Sequence, residues 1–575
     1  MSRKTRVLIV GGGACGMSAA YAFSQHPDKF DVTLYERSAN VGGMATSAPI
    51  DKEKYGADYI NDGVQGASPV FYNTYALFDK LGFKASDVGM QVSFGREPET
   101  DFWSNVFPSP VIDKFSEDIK KFGRVLKIIK TFEPIFALIS VSTMLKMFRF
   151  SKEFGDVIVF PLVALFFGTG NQTPFISSAI LERVFMDSNM RLFEYSPETF
   201  LASIPRMCAF PRLSTLYSVW KAVVEDQGQG SVRIITKREV TQVRRKRNGV
   251  EVWSRPTQGT NGAQEVVDPG REEMEIFDEL IFCCDADATL HILGADASWL
   301  ERRVLGNVKY LWDVTVTHSD LPYMEKHYRV RYDPELRSKK NEDNHERRKK
   351  YTFAEKSFQP LYFIRSVPED KSKLEMSFDL TVYQPQFDGQ SPYGPQGYPA
   401  IETEETRDGV SHSESASSKG SDRVGSRLAT EDGPPTQDGE ISGQRSPPLE
   451  RHVFQTIFLD NAPESRKFWT KGEINQQEVI MEKWWKQQSH RWQHYAGTVP
   501  WMGLINGKRR TQFAGAWTIL NMHEIAVVSG FGAAYRLGAS YPFKEDPDCK
   551  RLFALCFAAN HMMRLRSEDR DGFLS

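Results

Sequence analysis

Residues 7–17 read Val-Leu-Ile-Val-Gly-Gly-Gly-Ala-Cys-Gly-Met, and this stretch decides the fold of the chain. Gly11, Gly13 and Gly16 have the G-x-G-x-x-G spacing of a dinucleotide-binding turn. In that motif the first glycine permits the tight turn from strand to helix, and the second lets the backbone approach a pyrophosphate. The third permits close packing of the helix on the strand. The stretch therefore predicts a phosphate-binding turn near the start of the sequence.

The residues around this turn predict a strand–helix–strand unit. Residues 6–10 form a continuous apolar strand, and the helix over Gly16–Ser24 contains alanines that allow close contact with a sheet. Asp31–Glu36 form the second strand, so the unit spans about 30 residues. Ala14 and Cys15 lie where this helix begins. Free N–H groups and the positive end of the helix dipole favour a phosphate there.

Glu36 completes the dinucleotide motif. It follows Gly16 by twenty residues and ends the second strand. A carboxylate at this place accepts hydrogen bonds from a ribose 2′-hydroxyl and repels a 2′-phosphate. The alternative is a glycine-rich turn followed by a chance acid, which the combination of strand, helix and acid disfavours.

The residues after Glu36 resemble a known family. Residues 36–45 read Glu-Arg-Ser-Ala-Asn-Val-Gly-Gly-Met-Ala. This is similar to the E-R-x-x-x-x-G-G pattern that follows the nucleotide fold in the FAD-containing amine oxidase and phytoene desaturase superfamily. The resemblance implies FAD as the cofactor, with Arg37, Gly42, Gly43 and Met44 beside it. The two glycines let the chain run against the pyrophosphate and flavin without a side-chain clash.

The C-terminal region extends this resemblance. Residues 513–517 read Phe-Ala-Gly-Ala-Trp, and residues 525–536 read as a helix rich in small residues. In the superfamily such a helix places its N-terminal end under the flavin, where its dipole can stabilise negative charge. The resemblance implies cofactor contacts at Gly515, at Glu524 and, through the backbone, at Val240. Ala516 stands where typical amine oxidases have an acid.

His523 and Glu524 each have two interpretations. A His-Glu pair before a Ser-Gly helix is most similar to the "predicted NAD/FAD-binding" flavoprotein branch of the superfamily. Beside a flavin, His523 could act as an acid or base, because its unperturbed pKa lies near neutrality. The alternative is that it holds the loop by hydrogen bonds to backbone or cofactor. Glu524 is either a cofactor ligand or an acid that stabilises the helix start. His523 is the one catalytic candidate.

Other titratable side chains are interpreted as structural. Asp285 and Asp287 follow the predicted strand Phe277–Cys284, and we expect them to cap the next helix, with ligand contacts at the crevice edge as the alternative. A polar, aromatic stretch is interpreted as surface helix packing, with the border of a pocket as the alternative: Trp484, Trp485, His490 and His494. No catalytic triad, P-loop or zinc spacing is visible, so we expect no metal.

Composition excludes some classes of partner. The net charge of −2 gives no basic field for nucleic acid. A chain of 575 residues exceeds the size at which one core stops growing, so about two domains are expected. Six cysteines in this length do not make a disulfide framework, and a reducing, cytoplasmic location fits best. The sequence does not fix the oligomeric state.

The expected fold class is α/β: a Rossmann-like FAD-binding domain with an interleaved α+β substrate domain, as in amine oxidases. We expect Arg337–Lys350 to form a solvated loop. Residues 403–450 are poor in large apolar groups and are expected to form a disordered insert. The FAD-binding domain is assigned residues 1–108, 231–300 and 506–575, and the substrate domain is assigned 109–230, 301–402 and 451–505.

The region from residue 109 to about 209 is apolar and aromatic. Its apolar runs, Pro134–Leu145 and Val157–Phe167, are shorter than the 18 or more residues that span a bilayer. They suit core helices or the walls of an apolar pocket, and a peripheral contact with one membrane face is the alternative. The candidates for such a wall, which core packing explains equally, are Phe132, Phe136, Phe160, Phe166 and Phe167.

Three functions follow from the resemblance. The first is an FAD-dependent oxidoreductase that accepts a hydride from a small-molecule substrate, which the apolar region from residue 109 to about 209 predicts to be hydrophobic or lipid-like. The second is an FAD-dependent isomerase of fatty-acid double bonds without net redox change. The third is a non-enzymatic carrier of prenylated or lipidic ligands that uses the same fold without FAD. The intact glycines and Glu36 favour an enzyme over a carrier.

Overall fold

The computed structural model describes residues 3–167, 170–187, 191–201, 203–257, 272–341, 344–388 and 447–570. Most of the predicted 403–450 insert, residues 403–446, therefore lies outside the described residues. The side chains of Phe166 and Phe167 also lie outside them.

A five-stranded parallel sheet organises the first domain. It is built from distant parts of the sequence, and its first strand is central. The strands, in spatial order, are Val232–Ile235, Phe30–Tyr35, Thr5–Val10, Glu279–Phe282 and Thr511–Phe513. All neighbours pair in parallel, so their carboxyl ends meet at one edge, where ligands bind in such folds.

Both faces of this sheet are covered. Val7 and Ile9 pack into a core with the first helix, Ala14–Ser24, and the penultimate helix, His523–Arg536. Leu8 and Val10 face the opposite way, toward an antiparallel meander. The meander strands are Arg238–Lys246, Gly249–Pro256 and Glu273–Phe277. Burial on both sides explains why the first strand is continuously apolar.

A seven-stranded mixed sheet forms the second domain. Its two ends come from the C-terminal and N-terminal parts of the chain, and one pair, Val92–Phe94 with Tyr362–Ser366, is parallel. The strands, in spatial order, are Val479–Ser489, Lys309–His318, Phe454–Phe458, Leu374–Asp379, Tyr362–Ser366, Val92–Phe94 and Trp103–Ser104. The chain therefore crosses between the domains several times.

The apolar region after residue 109 is helical. A π-helical turn, Gly155–Val159, precedes its helix Phe160–Phe167. The other helices of this region are Pro110–Lys114, Ser116–Thr131, Glu133–Phe136, Val141–Met147, Lys152–Phe154 and Ala179–Met186. Among the described residues no helix is long and apolar enough to cross a bilayer.

Further helices and short strands complete the two domains. The remaining helices are Lys52–Tyr55, Tyr72–Lys80, Leu213–Gln227, Ala286–Leu293, Trp299–Leu305, Leu321–His327, His345–Ser357, Leu380–Tyr383, Pro463–Arg466, Trp492–Gly497, Met502–Ile505 and Pro547–His561. The remaining strands are Ser47–Pro49, Tyr59–Asn61, Gly66–Ala67, Ser86–Gly89, Tyr195–Ser196, Phe200–Leu201 and Arg206–Ala209.

Two local predictions are wrong. Part of the loop predicted over Arg337–Lys350 is the start of helix His345–Ser357, because the Asn344 side chain caps its first N–H groups and Tyr351 is buried. The strand predicted over Phe277–Cys284 is shorter, Glu279–Phe282, and Phe277 ends the preceding strand, Glu273–Phe277. Asp278 separates them, since its carboxylate accepts the backbone N–H of Arg6 at 2.8 Å.

Candidate functional site

The glycine turn joins the first strand to the first helix at the carboxyl edge of the parallel sheet. Gly11 has a φ of +105°, and a Cβ there would lie 2.9 Å from the Cys283 carbonyl oxygen. A Cβ on Gly16 would lie 1.9 Å from the Gly11 carbonyl oxygen. Both positions need glycine because of packing and conformation within the protein itself.

Gly13 differs from its two neighbours in the motif. Its φ of −72° is open to any residue, and a Cβ there would meet only the Gly43 Cα, at 4.0 Å. The protein therefore leaves open space beside Gly13. Among the described residues no side chain caps the first helix, so the N–H groups of Ala14 and Cys15 in its first turn have no side-chain partner there.

A second glycine loop lies against the first. Gly13 and Gly42 form a parallel bridge, and the Gly42 N–H donates to the Gly12 carbonyl at 2.9 Å. Gly42 and Gly43 have φ values of +129° and +61°. The two glycine loops therefore lie against each other next to the start of the first helix.

The Glu36 carboxylate fixes this surface. It is buried, and it accepts the Gly12 N–H and the Ser38 N–H, both at 2.7 Å. A carboxylate has about four acceptor positions, so two remain for other donors such as ribose hydroxyls. Glu36 therefore both orders the glycine turn and keeps acceptors at its edge.

Val240 and Arg37 lie at the same edge. The Arg238 N–H donates to the Glu36 carbonyl at 2.9 Å, which places Val240 two residues beyond this contact. Val240 is buried, and the register of its strand shifts between Val240 and Gln242. Arg37 is exposed, and its charge acts on the Asp285 carboxyl.

The penultimate helix packs tightly on the first helix. A Cβ on Gly530 would lie 2.1 Å from the Cys15 carbonyl oxygen, so the two helices approach through their backbones. Ser529 on the same helix accepts the Gly515 N–H at 3.0 Å. Gly515 has a φ of +143° and follows the last parallel strand. These contacts bring the C-terminal residues to the glycine turn.

His523 is held on both ring nitrogens. Its Nε2 lies 3.0 Å from the Tyr217 hydroxyl, and its Nδ1 lies 3.1 Å from the Thr74 hydroxyl. Burial lowers the pKa of His523 to about 4, so the ring is neutral near pH 7. This arrangement favours the holding role over proton exchange.

The Glu524 carboxylate accepts hydrogen bonds from other residues of the protein. Its carboxylate accepts the backbone N–H and the side-chain amide of Asn73, both at 2.9 Å, and the Thr74 N–H at 2.7 Å. Burial raises the pKa of Glu524, and these hydrogen bonds oppose the shift. Glu524 thus ties the start of the penultimate helix to the start of helix Tyr72–Lys80. The predicted contact of Glu524 with a cofactor stays a prediction.

Lys486 is a site residue that sequence reasoning missed. Its Nζ lies 3.0 Å from the Asp285 carboxylate and 2.6 Å from that of Asp287. It also lies 4.3 Å from the centre of the Tyr310 ring. The Asp285 side chain makes no cap hydrogen bond to helix Ala286–Leu293, so the expectation that it caps this helix is wrong. Lys486 and Asp287 are 199 residues apart in the sequence, so no local pattern predicts their contact.

Lys483 makes a second bridge between the domains. Its Nζ donates to the Asp62 carboxylate at 2.7 Å and to the Thr46 hydroxyl at 3.0 Å. A Cβ on Gly63 would lie 2.0 Å from the Met44 carbonyl oxygen and 2.9 Å from the Trp485 ring. The glycine-loop segment around Met44 therefore lies against the mixed sheet.

The interpretation of the 484–494 stretch as surface helix packing is wrong. Trp484 and Trp485 lie on the edge strand Val479–Ser489, and the Trp485 indole donates to the Thr315 hydroxyl at 3.0 Å. His490 and His494 are buried, and burial lowers their pKa values to about 3 and about 4. In the described part of the structure no cluster of His, Cys, Asp and Glu could hold a metal ion.

The phenylalanines proposed as a pocket wall differ in position. Phe136 and Phe160 are buried, and Phe136 stacks on Phe148 with ring centres 6.1 Å apart. Phe132 is 51% exposed, so it lies on the surface and not in an interior wall.

Comparison with known proteins supports this architecture. A family model described as an NAD(P)-binding Rossmann-like domain matches residues 9–81. A search of curated protein sequences gave no match. A putrescine oxidase bound to putrescine is 10% identical, with 94% of this chain and 100% of that chain covered and a TM-score of 0.53. A fatty acid isomerase from P. acnes that produces CLA is 12% identical, with 92% and 98% covered and a TM-score of 0.51. A putative protoporphyrinogen oxidase from Exiguobacterium sp. is 12% identical, with 93% and 99% covered and a TM-score of 0.50.

These likenesses concern the fold. They confirm the predicted α/β class, with a Rossmann-like dinucleotide-binding domain and the two-domain arrangement of the amine oxidases. At this level of identity, substrates and chemistry have to be argued from the residues of this chain.

Proposed function

We propose that this chain, which has the two-domain fold of the amine oxidases, is an FAD-dependent oxidoreductase that accepts a hydride from an apolar, lipid-like substrate. The observation that carries the proposal is the open space beside Gly13. Gly11 and Gly16 are required by packing within the protein, whereas a Cβ on Gly13 would meet only the Gly43 Cα among the described residues. A glycine that the protein itself does not need is explained by a ligand that approaches its backbone.

The residues present fit a dinucleotide. The uncapped start of the first helix offers N–H groups and a positive dipole end to a diphosphate. The buried Glu36 carboxylate keeps free acceptor positions for ribose hydroxyls, and its charge disfavours a 2′-phosphate. Gly42 and Gly43 extend the bare backbone beyond the phosphate region. The resemblance of residues 36–45 to the E-R-x-x-x-x-G-G pattern of the FAD-containing superfamily favours FAD over NAD.

The protein supplies binding and orientation to this chemistry. When bound, FAD would supply the flavin that takes up a hydride. Ser529 holds the Gly515 turn, and Glu524 and His523 fix the start of the penultimate helix. The positive end of that helix's dipole favours negative charge near its first turn.

The apolar substrate is inferred from the helical region. Most of its buried side chains are aliphatic or aromatic, as in Phe122, Leu126, Phe154 and Leu162. The six cysteines are free thiols, which fits the proposed cytoplasmic location.

The visible spectrum of the purified full-length protein tests the proposal. We expect flavin absorption bands and release of FAD on denaturation. Anaerobic bleaching by fatty acids, polyenes or amines, followed by recovery with an electron acceptor, would support the oxidoreductase. A colourless protein that does not take up added FAD would overturn the proposal and favour the carrier. A yellow protein that changes a double bond without consuming any acceptor would favour the isomerase.

A further inference from the structure

The segment Ser116–Met147, the amphipathic tip, exposes large apolar side chains that no other described part of the protein covers. The helix Ser116–Thr131 buries its inner face, including Phe122 and Ile129. Its outer face and the short helices that follow it expose five large apolar side chains. These side chains, with their exposed fractions, are Ile128 38%, Phe132 51%, Ile135 57%, Leu138 51% and Met147 54%. Five exposed apolar side chains in 20 residues of sequence form a patch of the kind that marks an interaction site.

The same segment is cationic. Ser116–Met147 contains six lysines and arginines and three acids, Glu117, Asp118 and Glu133, so it carries +3 while the whole chain carries −2. Arg183 pairs with Glu133, since its Nε donates to that carboxylate at 2.7 Å. Among the described residues, Arg124, Lys127 and Lys146 form no ion pair, although all three are exposed.

We propose that the amphipathic tip docks on the surface of a membrane that contains anionic phospholipid, with Phe132, Ile135 and Leu138 entering the acyl boundary. A face with apolar side chains at its centre and Lys and Arg around it matches a layer that is negative outside and apolar inside. This inference is separate from the proposed function, because the glycine loops and Glu36 are not part of the tip.

A second copy of the chain fits this face less well. In a two-fold interface the same patch meets itself, so Lys127 and Lys146 would face like charges. Lysine is also depleted from protein–protein interfaces relative to the rest of the surface. An anionic lipid surface takes both the apolar side chains and the cations without this repulsion.

The structure shows no bilayer-spanning helix in its described residues, so docking would be peripheral and reversible. Each cation near an anionic surface strengthens binding by up to about fivefold, and salt screens this contribution. We therefore expect full-length protein to float with vesicles of phosphatidylcholine and phosphatidylserine at low salt. Binding should be much weaker to phosphatidylcholine alone and at high salt.

Two variants separate the apolar and the charged parts of the tip. Phe132→Ser/Ile135→Ser removes two exposed apolar side chains without opening the core, and it should lower vesicle affinity at least about tenfold. Lys127→Glu/Lys146→Glu should lower it about as much and remove most of the salt dependence. The matched controls are Met274→Ser/Ile276→Ser, which are 49% and 45% exposed on a strand flanked by acids, and Lys52→Glu/Lys508→Glu. Both controls should bind as the wild type does.

Three results would overturn the proposal: a wild type that stays unbound with anionic vesicles, tip variants that bind as the wild type does, or controls that lose binding equally. Light scattering gives the oligomeric state. A wild-type dimer that becomes monomeric in Phe132→Ser/Ile135→Ser would assign the tip to a second copy instead and would also overturn it. FAD content is measured in parallel, because it should be unchanged in every variant whether or not the proposed redox function holds.

Discussion

The Glu524 carboxylate accepts both the backbone N–H and the side-chain amide of Asn73, 451 residues away, at 2.9 Å each. A third hydrogen bond comes from the Thr74 N–H. The acid thus ties the penultimate helix to the region that follows the glycine loops. The contact is wholly buried, so its loss leaves donors without partners.

Glu524→Gln should destabilise the protein by about 2–4 kcal/mol, because a neutral amide has one oxygen and would point donors at donors. Denaturant unfolding of the purified variant measures this value. Glu568→Gln changes an exposed acid that forms a surface ion pair, and it should change stability by less than about 1 kcal/mol. If Glu524→Gln and wild type are equally stable, this hydrogen-bond cluster contributes nothing to the free energy of unfolding.

Acid should destabilise the fold between about pH 6.5 and pH 4. Burial lowers the pKa of His523 to about 4, so the unfolded chain binds this proton at higher pH than the folded chain does. The stability that comes from the neutral ring is present above the unfolded pKa and is lost as the pH falls through this window. His523→Gln should reduce the slope of the free energy of unfolding against pH by up to about 1.4 kcal/mol per pH unit. Unfolding curves at several pH values give the slope, and an unchanged slope would contradict this assignment.

Gly13→Val should fold normally and bind no FAD. The φ of Gly13 permits valine, and the space beside it is open in the protein. Gly16→Ala is the matched comparison, because its Cβ would lie 1.9 Å from the Gly11 carbonyl oxygen and the fold itself should suffer. Circular dichroism reports folding, and the flavin absorbance reports occupancy. A folded, fully yellow Gly13→Val would place the diphosphate elsewhere.

Gly530→Ala should cost stability, whereas Gly532→Ala on the same helix should not. A Cβ on Gly530 would lie 2.1 Å from the Cys15 carbonyl oxygen, while the nearest atom to one on Gly532 is 3.4 Å away. Overpacking costs about 1–3 kcal/mol, and alanine at an open helix position gains up to about 1 kcal/mol. Thermal unfolding of both variants gives the comparison. Equal melting temperatures would mean that the two helices separate easily at this crossing.

The glycine turn, the first helix and Glu36 were predictable because their signal is local. Gly11, Gly16 and Glu36 lie in one short unit whose backbone geometry dictates the residue types. His345–Ser357 was missed because its composition is that of a solvated loop, and only the Asn344 cap and the buried Tyr351 reveal a helix.

The sequence by itself determined the Rossmann-like turn, its acid and the class of fold, because strand periodicity and glycine spacing act within a few tens of residues. Only the tertiary structure decided which donors Glu524 and His523 meet, that Lys486 bridges the domains at Asp285 and Asp287, and that Phe132 faces outward. These contacts join residues hundreds of positions apart. Their geometry depends on how the whole core packs, and no local pattern records it.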